Sequence, residues 1–215
     1  MKNFSGSKAE PKNPCKIGIL GAKEVGKTSL ANLLTGRLKS LGISADLVHE
    51  TARRAPWKLN KKTSIEAAYW LLGSQIASES LVQATRQFTI CDRTVLDTYP
   101  FLAFSFQEGR ISPNPSHEEL KLIKSVIRDY IKARPYDYLI LVPIRQELWV
   151  YYSEPSDKEL QVEIDKAFRN FLKELSLEYH ELHTLNSIDR VEEVMKLLRE
   201  RYHFSLEGTD TKFPV

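Results

Sequence analysis

The stretch Lys16-Ile17-Gly18-Ile19-Leu20-Gly21-Ala22-Lys23-Glu24-Val25-Gly26-Lys27-Thr28-Ser29 constrains the fold more than any other part of the chain. A short apolar run meets the start of a helical pattern through a loop. That loop fits G-x-x-x-x-G-K-S/T at every defined position, from Gly21 to Thr28. It suits a polyphosphate for physical reasons. Backbone N–H groups turn inward around the phosphates, and Gly21 and Gly26 permit the close approach and unusual dihedrals this requires. The following helix adds unpaired N–H groups and the positive end of its dipole. Lys27 reaches the β and γ phosphates, and the Thr28 hydroxyl ligates Mg²⁺. The expected nucleotide-binding residues are therefore Gly21, Ala22, Lys23, Glu24, Val25, Gly26, Lys27, Thr28 and Ser29, for ATP or GTP. The competing explanation is a chance match in a helix-capping loop. An apolar strand before the loop and a helical pattern after it weigh against that.

A length of 215 residues suits one domain with a continuous core. The expected domain is 15–204, between polar tails at 1–14 and 205–215. A formal charge of +3 is too small to imply nucleic acid. Cys15 and Cys91 fit no zinc or redox spacing, and Cys91 lies in an apolar run as a small core residue. No apolar run is long enough for a membrane span, so a reducing, cytoplasmic setting is expected.

Strand-like runs at about 16–20, 45–49, 88–92, 138–142 and 179–185 alternate with helical patterns. Leu30, Leu33, Leu34, Leu38 and Leu41 stripe the first helix, and Gly42 stops it. Capping boxes at Thr63–Glu66, Ser116–Glu119 and Ser156–Glu159 open three more. Val191, Val194 and Leu198 stripe the last. The aromatic stretch after Pro100 has no clear assignment. This alternation, with the phosphate loop, predicts an α/β fold of the P-loop NTPase kind: a three-layer α/β/α sandwich around a five-stranded, mainly parallel sheet. Ligands of such sheets sit beyond the carboxyl ends of the strands. Three polar clusters fall there: Gly21–Ser29, Glu50–Arg54 and Asp92–Asp97.

Asp92 ends an apolar strand, where it holds Mg²⁺ directly or through water, or else caps the next segment. Glu50, on the neighbouring strand end, is the preferred proton acceptor for transfer to a hydroxyl, with Asp92 the competitor. Arg53 and Arg93 are placed to fork onto a phosphate or a carboxylate. Lys27, Glu50, Asp92 and Arg93 form the expected catalytic set, with Thr28 and Asp92 at the metal.

Taken together, Gly21–Thr28, Glu50-Thr51-Ala52-Arg53, Gln75 with Glu79, and Asp92-Arg93-Thr94 followed by Asp97-x-Tyr99 resemble the P-loop small-molecule kinases. The resemblance is greatest to the nicotinamide riboside kinase-like group called NadR-type AAA domains. It spans roughly 15–200, and its triplet at Asp92 is also similar to that of deoxynucleoside kinases. It implies Mg²⁺–ATP-dependent phosphoryl transfer to a small-molecule acceptor: a nucleoside, nucleotide or related ribosyl metabolite. By the same likeness Glu50, Arg53, Trp57, Gln75, Glu79, Arg93, Asp97 and Tyr99 form the acceptor site, with an aromatic stacked on the acceptor ring. The donor base would lie near Asn186 and Arg190. The lid departs from the family pattern, since Glu147, Glu154 and Asp157 are interspersed between Arg145 and Lys158. The rival class is an ATP- or GTP-binding regulator, or a slow NTPase, with no small acceptor. No Asp-x-x-Gly follows the third strand and no Asn-Lys-x-Asp the fourth, which argues against a GTPase switch.

Overall fold

A computed structural model describes residues 14–57, 64–109, 111, 115–145 and 155–202, so the expected tails lie outside it except for Pro14. The central strand β1 (Cys15–Leu20) is buried along its whole length. Parallel strands β3 (Phe88–Asp92) and β4 (Tyr138–Leu141) flank it, with β2 (Ala45–Val48) and β5 (His180–Glu181) outside them. The order β2-β3-β1-β4-β5 reverses direction at β1, so crossovers leave to both sides of its carboxyl end and open a crevice there.

The two sheet faces are covered differently. Ile17, Ile19, Ile140 and Val142 pack under α1 (Lys27–Ser40) and α6 (Ser187–Tyr202). Leu20, Leu139 and Leu141 face the opposite layer. That layer holds α2 (Ile65–Gln83), α3 (Thr98–Gln107), α4 (His117–Ala133) and α5 (Pro155–Glu174). This period-2 alternation inside largely apolar strands is what burial on both faces imposes.

Local details depart from the sequence pattern in four places. Leu33 stands 45% exposed because the buried stripe of α1 runs through Leu30, Ala31, Leu34 and Leu38. Ser64 caps α2 by accepting from the Ala67 amide, and Thr63 lies outside the described residues. The fifth strand stops at Glu181: the amides of His183 and Thr184 donate to the Glu193 carboxylate. The unassigned aromatic stretch is α3, which packs against α2, α4 and α5 and so shows no polar stripe. The Ser116–Glu119 box is present with both of its hydrogen bonds. The third helix start falls at Pro155, and the Ser156 side chain lies outside the described residues.

Gly18 is the tightest point of the central strand. A Cβ there would lie 2.6 Å from Thr94 Cγ2, 2.9 Å from Tyr136 Cδ1 and 3.0 Å from Leu139 Cδ2. We expect Gly18→Ala to destabilise the fold by about 1–3 kcal/mol through overpacking, read as a lower urea midpoint at unchanged m-value. An unchanged midpoint would mean that these side chains move aside freely.

Candidate active site

The phosphate loop is anchored where β1 ends. The Val142 amide donates to the Leu20 carbonyl at 2.9 Å. Gly21 has φ 139°, and a Cβ there would sit 2.5 Å from the Val142 carbonyl oxygen. Lys27 is folded back into the loop, only 5% exposed, with Nζ donating to the Ala22 carbonyl. Burial first, and then the like charge of Arg93, lower its pKa to about 7 against the pull of Asp97, Glu50 and Asp92.

Beside it the Thr28 hydroxyl donates to Asp92 Oδ2 at 2.7 Å. Asp92 is 2% exposed, and its Oδ1 is buried with no hydrogen-bond partner. A buried carboxylate oxygen left bare next to a hydroxyl and a phosphate loop fits a hard cation that takes oxygen ligands and keeps its waters.

A second polar cluster faces the loop from the ends of β2 and β3. Arg93 Nε donates to Glu50 Oε1 at 2.5 Å, and Arg93 Nη1 to Asp97 Oδ1 at 3.0 Å. Arg53 Nε donates to Glu50 Oε2 at 2.8 Å, while its Nη2 reaches Thr28 Oγ1 at 3.3 Å. Burial works to raise the Glu50 pKa, but Arg93 and Arg53 outweigh it and hold the carboxyl below its ordinary value. Asp97 is itself fixed by the Thr94 amide at 2.8 Å and hydroxyl at 2.9 Å. Arg93 has a left-handed backbone, φ 80°, a conformation that costs a non-glycine residue roughly 1–3 kcal/mol.

One cleft of about 920 Å³ joins these groups. Its phosphate end is formed by Lys23, Glu24, Val25, Gly26, Lys27, Thr28 and Ser29, and its middle by Glu50, Arg53, Gln75, Arg93 and Asp97. The far half is largely apolar, with Ala68, Leu71, Phe101 and Leu102 beside Thr98 and Ser105. Leu185, Asn186, Ser187 and Arg190 close another edge. Arg190 Nη1 donates to the Val25 carbonyl at 2.9 Å, and Nη2 is buried without a partner.

Three residues expected at the acceptor site stand away from the cleft lining. Trp57 packs edge-on against Trp70, and Tyr99 lies against Phe171 with ring centroids 4.8 Å apart. Glu79 is fully buried and pairs with Lys16 at 3.2 Å. Gln75 does line the cleft, but its amide bonds inward to Thr51, Glu79 and Arg93. Arg145 donates to the carbonyls of Leu182 and His183. Residues 146–154 of the expected lid lie outside the described residues. Sequence reading missed Thr98, Phe101, Leu102 and Ser105. Their spacing of three and four marks one helix face, a signal swamped by the apolar residues around it.

A family model described as an AAA domain matches residues 16–190. The chain belongs to this AAA-domain family. Among solved structures the domain is similar to a NadR protein in complex with NR, at 16% identity and a TM-score of 0.68, covering 91% of this chain and 53% of that one. It therefore spans about half the length of that NadR chain. It is also similar to deoxyadenosine kinase from M. mycoides, at 16% identity and a TM-score of 0.61, covering 86% of this chain and 99% of that one. Thymidylate kinase from Ehrlichia chaffeensis matches at 17% identity and a TM-score of 0.61, covering 87% and 99%. No curated protein matches the sequence. These likenesses establish the P-loop kinase fold: a five-stranded sheet, parallel throughout, between two helical layers. No helix among the described residues is long and apolar enough to cross a membrane.

The buried ammonium of Lys27 makes the phosphate loop of this AAA domain costly to fold. Below pH 7 Lys27 is protonated in both the folded and the unfolded chain, and the penalty is full. Between about 7 and 10.5 the unfolded chain holds a proton that the native one lacks, so this group adds stability as pH rises. We expect Lys27→Met to raise the nucleotide-free melting temperature at pH 7 by about 5 °C, and this advantage to shrink toward pH 10. Calorimetry across that range checks it; a lower melting temperature at pH 7 would contradict the penalty.

Proposed function

We propose that the protein transfers the γ-phosphoryl group of Mg²⁺–ATP to a hydroxyl of a nucleoside, nucleotide or related ribosyl metabolite. The observation that carries this reading is the continuity of the cleft: Lys27 and Thr28 at one end, Glu50 and Arg93 in the middle, and an apolar half at the other. In this reading backbone N–H groups of 21–29 and Lys27 hold the donor phosphates. Thr28 and Asp92 hold Mg²⁺, which supplies charge neutralisation on the phosphoryl oxygens. Glu50 takes the acceptor proton, because it lines the cleft while the Asp92 carboxylate is turned to the Thr28 hydroxyl. Arg93 and Arg53 hold Glu50 toward the phosphate loop, and Phe101 and Leu102 cover the acceptor's planar part.

The test is incubation with Mg²⁺–ATP and a panel of nucleosides and nucleoside monophosphates, read by mass spectrometry of the products. One phosphorylated acceptor is the expected result. Tight ATP binding with no acceptor phosphorylated overturns it. In that case a second reading stands, a nucleotide-binding regulator or slow NTPase using ATP or GTP. One observation favours it: two guanidinium groups occupy both oxygens of Glu50.

A further inference from the structure

The described residues include a second charged cluster that lies behind the cleft and meets its lining through Gln75. Lys16, on β1, and Glu79, on α2, are both fully buried and pair at 3.2 Å. Lys16 Nζ also donates to the Arg134 carbonyl at 2.7 Å. Glu79 is saturated: Oε2 accepts from Lys16 and from the Tyr130 hydroxyl at 3.1 Å. Its Oε1 accepts from the Tyr136 hydroxyl at 2.7 Å and from Gln75 Nε2 at 3.0 Å.

Those last two donors lead to one place. Gln75 Nε2 also donates to the Arg93 carbonyl at 3.0 Å, and the Tyr136 oxygen accepts from the Val95 amide at 3.1 Å. A carboxylate only accepts, so Glu79 dictates which way both groups face. The Gln75 amide must turn its NH₂ inward, which brings its second N–H to Arg93. The Tyr136 hydroxyl must spend its proton on Glu79, which leaves a lone pair for Val95. One oxygen thus sets the two grips on either side of Thr94, next to the left-handed backbone of Arg93.

We propose that Glu79 is a positioning residue, acting through Gln75 and Tyr136 to hold the Arg93–Val95 backbone so that the Arg93 guanidinium stands between Glu50 and Asp97. This rests on the kinase reading for its catalytic consequence. A group in a network of satisfied buried hydrogen bonds is held in one arrangement, and a misplacement of about 1 Å in such a frame costs up to ~10²-fold in rate.

The test uses Tyr136→Phe and Gln75→Met in the full chain, with kinetics and hydrogen–deuterium exchange measured in parallel. Tyr136 is not among the cleft-lining residues, so its hydroxyl has no acceptor to contact. The expected result is a kcat lowered by about 10-fold or more in each variant, with KM for ATP and acceptor within about twofold. Exchange over 93–97 accelerates while that over 21–29 stays as in the wild type. Wild-type kcat with unchanged exchange over 93–97 overturns the proposal. So does a raised acceptor KM at unchanged kcat in Gln75→Met, which would make Gln75 a direct substrate contact. Faster exchange over 93–97, in a protein whose wild type phosphorylates nothing, supports the bracing and retires the kinase reading alone.

Discussion

Glu50→Gln is expected to lower kcat by about 10²–10⁴-fold while ATP still binds, because the substitution keeps the shape of the side chain and removes its proton affinity. The amide oxygen can still accept from Arg93 Nε, so the Arg93–Asp97 contact at 3.0 Å survives, while the exposed Arg53 loses its bond to the second oxygen. KM for ATP should move little, since in the proposed reading the donor phosphates are held by Lys27 and Thr28 on a different strand end. Steady-state kinetics with the acceptor found in the panel, together with ATP titration calorimetry, checks both halves. A kcat within threefold of wild type would remove Glu50 as the proton acceptor. Loss of ATP binding would show that its charge serves the donor site instead.

Lys16→Met is expected to cost about 3–5 kcal/mol of stability, because it leaves a buried carboxylate without its counter-ion. Glu79 keeps three neutral donors, from Gln75, Tyr130 and Tyr136, but none carries a charge. The double variant Lys16→Met/Glu79→Leu should recover only part of the loss, since no ion is left to desolvate but Tyr130, Tyr136 and Gln75 lose their buried acceptor. Urea unfolding of both single variants and the double gives the cycle, and the coupling between the two sites is the quantity sought. If Lys16→Met unfolds within about 1 kcal/mol of wild type, the pair carries no such burden. Recovery of stability without recovery of turnover in the double variant would separate what Glu79 does for the fold from what it does for Arg93.

The phosphate loop was legible because it is a local object. Gly21, Gly26, Lys27 and Thr28 act through their own backbone and neighbours, and their spacing carries the geometry. The parallel sheet was legible for a related reason: strands buried on both faces read as unbroken apolar runs, and helices between them read by period. Strand ends then placed Glu50 and Asp92 beside the loop without any knowledge of contacts.

Tertiary structure decided everything that depends on partners distant in sequence. The family resemblance implies that Gln75 and Glu79, four residues apart on α2, face the acceptor. Lys16, 63 residues from Glu79, holds that carboxylate in the core, while Gln75 stays in the cleft lining. Burial of one ion demands another, and no local pattern names the partner. Trp57 and Tyr99 stand outside the cleft lining for the same kind of reason, since Trp70 and Phe171 give them apolar contacts elsewhere. The short β5 follows from the distant Glu193 taking amides that a longer strand would have paired. Backbone chemistry within a few residues wrote the loop and the sheet; competition among separated segments for the same buried charges and hydrogen bonds drew the cleft's boundary.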